Sequence, residues 1–148
     1  MERGSPQDSG RAGPPQTLTA FLDTNVLVRR LTGDPPDQAR RATSFLAQAD
    51  ELLLTDLIAA ELVSVLESFY EVERARVAEL VRSVIAFPAV VVLDAPLLLR
   101  TLELYEVDRL DFAEAYLVAC AEVSEVEAIA SFDRSIDRVA TVRRIEPS

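Results

Sequence analysis

The chain has 148 residues, of which 49% are hydrophobic, and its formal net charge is −10. This length suits one domain with a full hydrophobic core, and the acidic charge argues against broad electrostatic attraction to nucleic acid. The chain has no His, no Trp and no Lys, which excludes a Ser-His-Asp triad, a His-ligated zinc site, a Walker A phosphate site and a lysine Schiff base.

The N-terminal segment differs in composition from the rest of the chain. Residues 1–17 are rich in Gly, Pro, Ser and charged residues and lack the apolar segment of a secretory signal. We interpret them as a disordered tail and residues 18–148 as one domain. The longest apolar runs fall short of the ~20 residues that a transmembrane helix needs. Because of these short runs, we expect a protein that does not bind a membrane. Since the lone Cys120 cannot form an internal disulfide, we also expect it to be cytoplasmic.

Strands and helices are predicted to alternate along the domain. A strand at residues 18–23 precedes a helix at 24–31, and Pro35 and Pro36 delay the next helix until about residue 37. Later apolar patterns predict strands near 52–55, 89–94, 127–133 and 142–145. Helical periodicity is found near 56–70, 73–87, 95–107 and 111–124. This alternation is typical of an α/β domain with a mostly parallel sheet.

Isolated carboxylates lie where these apolar segments end or helices begin. They are Asp23, Glu61, Asp111, Glu114 and Asp133. A buried, ionised carboxylate is costly unless a cation meets it, and a hard metal ion is the simplest partner. Because carboxylates with an ordinary pKa near ~4 are poor general bases at neutral pH, an acid-only site points to metal-activated water. Asp94 also ends a predicted strand, but the Ala-Pro after it favours a helix N-cap.

Three of these segments resemble motifs of the PIN-domain nucleases, in particular the VapC-type ribonuclease toxins of type II toxin–antitoxin pairs. The similarity covers about residues 18–146 and includes FLDTNVLV around Asp23, AAELVSVL around Glu61 and SFDRSI around Asp133. It implies a three-layer α/β/α fold with a central, mostly parallel sheet. It also implies that these three acids are catalytic and bind Mg²⁺ or Mn²⁺, with Asn25 and Ser131 as supporting polar residues.

The third motif departs from the family pattern. An aspartate is expected directly before Ala and a run of aliphatic residues, but Glu114 occupies this place and Asp111 lies one turn upstream. Both carboxylates are hard oxygen donors, although the extra methylene of Glu moves its oxygens by ~1.5 Å. We therefore predict Glu114 as the third catalytic and metal-binding acid, with Asp111 either sharing or assuming that role.

The resemblance implies an endoribonuclease that cleaves RNA by metal-activated water and leaves 5′-phosphate and 3′-hydroxyl ends. The implied partners are the RNA substrate, a cognate antitoxin protein and a second copy in a homodimer. The main alternative is a catalytically weakened PIN-fold protein that binds RNA or a partner, with Glu114 as the sign of decay. An aspartyl phosphotransferase is disfavoured because Asn25 stands where its paired acid is expected. A third alternative is an acidic scaffold, in which each acid is a helix cap or a solvated residue.

Overall fold

The computed structural model describes residues 17–148, so the predicted N-terminal tail lies outside the described residues except for Thr17. The strands are β1 Thr19–Phe21, β2 Glu51–Leu54, β3 Val90–Val92, β4 Ala128–Ala130 and β5 Arg143–Ile145. The α-helices are α1 Thr24–Thr32, α2 Pro36–Gln48, α3 Asp56–Ser68, α4 Arg74–Ile85, α5 Ala95–Glu106 and α6 Phe112–Ser124. A 3₁₀ helix follows at Arg134–Arg138. Within residues 17–148, no helix combines the length and hydrophobicity needed to cross a bilayer.

All the strand pairs of the described chain are parallel. They form a three-stranded sheet in the order β1-β2-β3 and a two-stranded sheet of β4 and β5. Phe21 pairs with Leu53, which in turn pairs with Val91, so the first three strands end at the same edge. Parallel pairing and the strand–helix alternation confirm the predicted α/β class, and this shared edge is where ligands bind in open parallel sheets.

The starts of two helices show how local chemistry sets their bounds. α2 begins at Pro36, one residue earlier than expected, because proline at the first helical position loses only an N–H that would have no helical partner. At the start of α5, Asp94 Oδ1 accepts a hydrogen bond from Leu97 N at 3.1 Å. The N-cap prediction for Asp94 is therefore confirmed, and this strand-end acid has a structural role.

The core is built mainly from α3, α4, α5 and α6. Leu98, Leu102 and Tyr105 share one face of α5, and each is 0% exposed. The Tyr105 hydroxyl donates a hydrogen bond to the carboxylate of Glu67 on α3, so the one polar atom of this ring has a partner. These contacts hold the helices whose first turns and exposed faces carry the predicted acids.

Arg74, the first residue of α4, holds the segment that leads into α6. Its Nη1 donates to the carbonyl oxygens of Tyr105 and Leu110, both at 2.7 Å. Its guanidinium also lies 4.4 Å from the centre of the Tyr105 ring. Because Leu110 directly precedes Asp111, this contact fixes the backbone at one of the predicted acids.

Replacing Arg74 by Met should lower the free energy of unfolding by about 3 kcal/mol, because two partly buried carbonyls would lose a charged donor. The matched control is Arg76→Met in the same helix, since Arg76 is exposed and forms a surface ion pair with Glu79. Its loss should cost less than about 1 kcal/mol. Urea unfolding of both variants measures the difference, and equal losses would contradict the assigned role of Arg74.

Candidate active site

Asp23 stands at the junction of β1 and α1. It is the N-cap of α1, with extended backbone angles, and its Oδ1 accepts a hydrogen bond from Thr24 N at 2.9 Å. Asp suits this position because its side chain can accept a hydrogen bond from one of the first amides of the helix, which lack helical partners. The residue is nevertheless exposed. The cap therefore orients the carboxylate while leaving it open to a ligand.

Thr24 connects Asp23 to the second predicted acid. Its side chain is nearly buried, with 4% exposed, and its Oγ1 donates to Glu61 Oε1 at 2.6 Å. Glu61 lies on the exposed face of α3, next to the buried Leu62. From the sequence, Thr24 or Asn25 was expected to cap α1, but the cap is Asp23, and the contact of Thr24 with Glu61 was not predicted. The hydrogen bond gives Glu61 a defined position beside the start of α1.

Asp111 and Glu114 form the acidic first turn of α6. Asp111 occupies the N-cap position, but its side chain makes no capping hydrogen bond among the described residues. Its carboxylate is therefore not consumed by the helix start, which distinguishes it from Asp94. Asp111 is exposed, whereas Glu114 is half-buried. Thus the start of α6 presents two carboxylates in different environments.

Glu114 carries the most unusual carboxyl group of the described chain. Its Oε1 is buried and has no hydrogen-bond partner there. Burial, together with the negative charges of Asp111 and then Asp133, raises the pKa of Glu114 above its ordinary value. The electrostatic effects indicate that three predicted acids, borne on α6 and on the segment after β4, influence one another.

Asp133 is the N-cap of the 3₁₀ helix that follows β4. Its Oδ1 accepts a hydrogen bond from Ser135 N at 2.9 Å, and hydrogen bonding to Ser135 lowers the pKa of Asp133. Ser131 Oγ accepts from Asp133 N at 2.9 Å. Ser131 therefore supports the backbone at Asp133, as a positioning residue would.

The acids form two groups, one of Asp23 and Glu61 and the other of Asp111, Glu114 and Asp133. They belong to helices in contact, because the Tyr116 hydroxyl on α6 donates to Asp56 Oδ2 on α3 at 2.5 Å. Over residues 17–148, no three His, Cys, Asp or Glu side chains lie close enough to form a ready metal cluster. The structure thus relates the acids of each group, through the Thr24 hydroxyl in one and through the charges around Glu114 in the other, but it does not gather three of them into one cluster within residues 17–148.

The donor set fits a hard divalent cation. All five side chains offer carboxylate oxygens, the ligands that Mg²⁺ and Mn²⁺ prefer. Glu114 Oε1 is buried, has no hydrogen-bond donor within residues 17–148 and is affected by the charges of two further carboxylates. A bound cation would stabilise the ionised form of such a group. Glu114 is therefore the residue whose environment most directly favours metal binding.

A family model for the PIN domain matches residues 20–142 of the chain. The match includes all five acids and the two residues predicted to support them, Asn25 and Ser131. No curated protein matches the chain closely enough to count as a relative.

Glu114→Gln should raise the melting temperature of the metal-free protein at neutral pH. The folded pKa of Glu114 lies above its unfolded value, so ionisation of this group costs folding stability. That cost is absent below the unfolded pKa of about 4.3 and is complete once the pH exceeds the folded value. The advantage of the variant should accordingly disappear as the pH falls to about 4.

Thermal unfolding in EDTA across this pH range measures the effect. Glu79→Gln is the matched control, because Glu79 is exposed and pairs with Arg76 on the surface. The control should not be stabilised at any pH. A Glu114→Gln variant that is no more stable than the wild type at neutral pH would show that the carboxyl is not under electrostatic stress.

Proposed function

Because the chain belongs to the PIN-domain family, whose members are generally nucleases that use divalent metal ions, we propose that it is a metal-dependent endoribonuclease. We further propose that it is the toxin of a VapC-type toxin–antitoxin pair. The observation that carries the nuclease assignment is the buried Oε1 of Glu114, which has no described partner and lies in the field of Asp111 and Asp133.

The proposed roles follow from the contacts of each side chain. Asp23, Glu61, Glu114 and Asp133 would hold Mg²⁺ or Mn²⁺, with Asp111 as a fifth oxygen donor. A bound divalent ion supplies charge neutralisation at the scissile phosphate, an activated water and stabilisation of the leaving oxygen.

The remaining side chains and amides position these acids. The Thr24 hydroxyl holds Glu61, and the Ser135 amide holds Asp133. Asn25 is exposed two residues after Asp23, where its amide group is free to contact phosphate. Each of these groups orients an acid or the substrate without itself taking part in proton transfer.

An apolar groove supports the proposed protein partners. It has a volume of about 520 Å³ and lies between α3 and α6, where Leu57, Phe112 and Leu117 line it. Leu57 is 78% exposed and Leu117 is 48% exposed. Neighbouring exposed leucines on a surface beside catalytic acids suit a protein contact. We propose that an antitoxin segment or a second copy of the chain covers them, in the cytoplasm.

Asp23→Asn should reduce Mn²⁺-dependent cleavage of a mixed tRNA and ribosomal RNA pool by about 100-fold or more. The loss of a direct metal ligand should lower activity at least as much as the loss of a residue that only supports a ligand. Glu61→Gln and Asp133→Asn should have the same effect. The matched control is Asp94→Asn, which changes a strand-end acid that caps α5. Asn caps helices as well as Asp, so this variant should retain activity.

Gel analysis of the purified, partner-free protein with Mn²⁺ and with EDTA measures this activity. Cleavage that persists in EDTA, or in the Asp23→Asn variant, would reject the metal mechanism. Absence of cleavage with confirmed metal binding would instead favour the weakened RNA-binding protein considered as the alternative.

Metal binding should depend more on Glu114 than on Asp111. Glu114→Gln should abolish the rise in melting temperature that millimolar Mn²⁺ gives the wild type, since it removes the buried unpartnered oxygen. Asp111→Asn should reduce the affinity for Mn²⁺ by about 10- to 100-fold without abolishing the rise, because the other four proposed carboxylates remain to hold the ion. Calorimetric titration of both variants decides the assignment, and the reverse order would make Asp111 the main third acid.

A further inference from the structure

A pocket lined by two arginines lies beside Asn25. It has a volume of about 410 Å³ and lies between one face of α1 and one face of α2. Asn25 and Arg29 are four residues apart on α1, while Arg41 and Phe45 are four residues apart on α2. Residues at this spacing share a helix face. The pocket is therefore formed by two helix faces that meet just after Asp23.

The two arginines lack the ion pairs that several other described arginines form. Neither Arg29 nor Arg41 forms an ion pair within residues 17–148, and Arg29 Nε instead donates to the neutral Gln38 Oε1 at 2.7 Å. Other guanidinium groups are neutralised by carboxylates, namely those of Arg40, Arg76, Arg82, Arg100 and Arg144. Two cations thus face one pocket with no described acid to offset them.

Phe45 adds a flat apolar surface to the same pocket. It is 37% exposed and lies one turn after Arg41. Guanidinium groups bind phosphate oxygens in pairs of hydrogen bonds, and an aromatic face stacks on a nucleobase. An acidic protein segment would satisfy the arginines, whereas a nucleotide supplies both a phosphate for the arginines and a flat base for the ring. The combination favours a nucleotide.

The pocket continues from the acids along α1. Asn25 follows Thr24, whose hydroxyl contacts Glu61, and Arg29 lies about 6 Å further along the helix axis. We propose that this pocket binds the phosphate and base of the RNA nucleotide next to the scissile phosphate. The proposal rests on the ribonuclease function proposed above, and it makes Arg29, Arg41 and Phe45 substrate-positioning residues.

The test measures the binding of a short, fluorescein-labelled single-stranded RNA of mixed sequence by anisotropy. The Asp23→Asn background prevents cleavage, and the salt concentration is varied. Arg29→Gln and Arg41→Gln should each weaken binding by about 10-fold and reduce the salt slope by about 1. Phe45→Ala should weaken it by about 5- to 10-fold without changing the slope, because stacking releases no counterions.

Arg40→Gln is the matched control, since Arg40 precedes Arg41 in α2 but pairs with Asp37 at the surface. It should change affinity by less than about 2-fold. Equal effects of Arg40→Gln and Arg41→Gln would overturn the pocket in favour of diffuse charge attraction. Unaltered RNA binding together with lost binding of a poly-glutamate peptide would assign the pocket to a protein partner. No measurable RNA binding in the parent protein would also overturn it.

Cleavage by the protein with an intact Asp23 separates the two proposals. Metal-dependent cleavage with unchanged RNA affinity in Arg29→Gln and Arg41→Gln would reject the pocket and leave the nuclease assignment intact. Loss of affinity in these variants, in a protein that neither cleaves RNA nor binds Mn²⁺, would reject the nuclease and retain an RNA-binding pocket. Melting temperatures equal to the parent's show that each variant is folded.

Discussion

The crowding of negative charge around Glu114 is the constraint that the surrounding structure has to satisfy. A half-buried carboxyl with an unpartnered oxygen and two acidic neighbours disfavours the folded state when ionised. The helix that carries it must therefore be held by other contacts. In α6, Ala115, Val118 and Ala119 are each 0% exposed and pack into the core. Packing energy from this face allows the first turn to keep an electrostatically unfavourable group.

Polar contacts between distant segments give the acids their positions. The Thr24–Glu61 hydrogen bond joins the first turn of α1 to the middle of α3, and the Tyr116–Asp56 bond joins α3 to α6. Each of these bonds uses one carboxylate oxygen and leaves the other available for further ligands. The result is an arrangement that fixes backbone and side-chain direction while preserving the oxygen donors that a divalent cation needs.

Local signals explain how much of this could be predicted from the sequence. The alternating apolar segments correctly predicted the α/β class, and the Ala-Pro after Asp94 correctly predicted the α5 cap. Both signals depend only on residues that are close together in the sequence. Asp111 does occupy the N-cap position of α6, but the sequence does not reveal that its side chain makes no capping bond among the described residues. The role of Thr24 depends on Glu61, which is 37 residues away in sequence. Such tertiary contacts leave no periodic pattern, so sequence reasoning could name the acids and the nearby Ser131 but not the contact that holds Glu61.

The net charge of −10 poses a physical problem for a protein proposed to act on a polyanion. At physiological ionic strength, charges are screened over about 8 Å, so the repulsion of distant acids is weak near a bound strand. Local charge then decides binding. Many guanidinium groups are neutralised by carboxylates one helical turn or one helix away, whereas Arg29 and Arg41 face a common pocket without such a partner within residues 17–148. An acidic chain can therefore attract RNA at a local group of cations next to the proposed metal-binding acids and repel it elsewhere, which favours productive placement of the strand over non-specific adsorption.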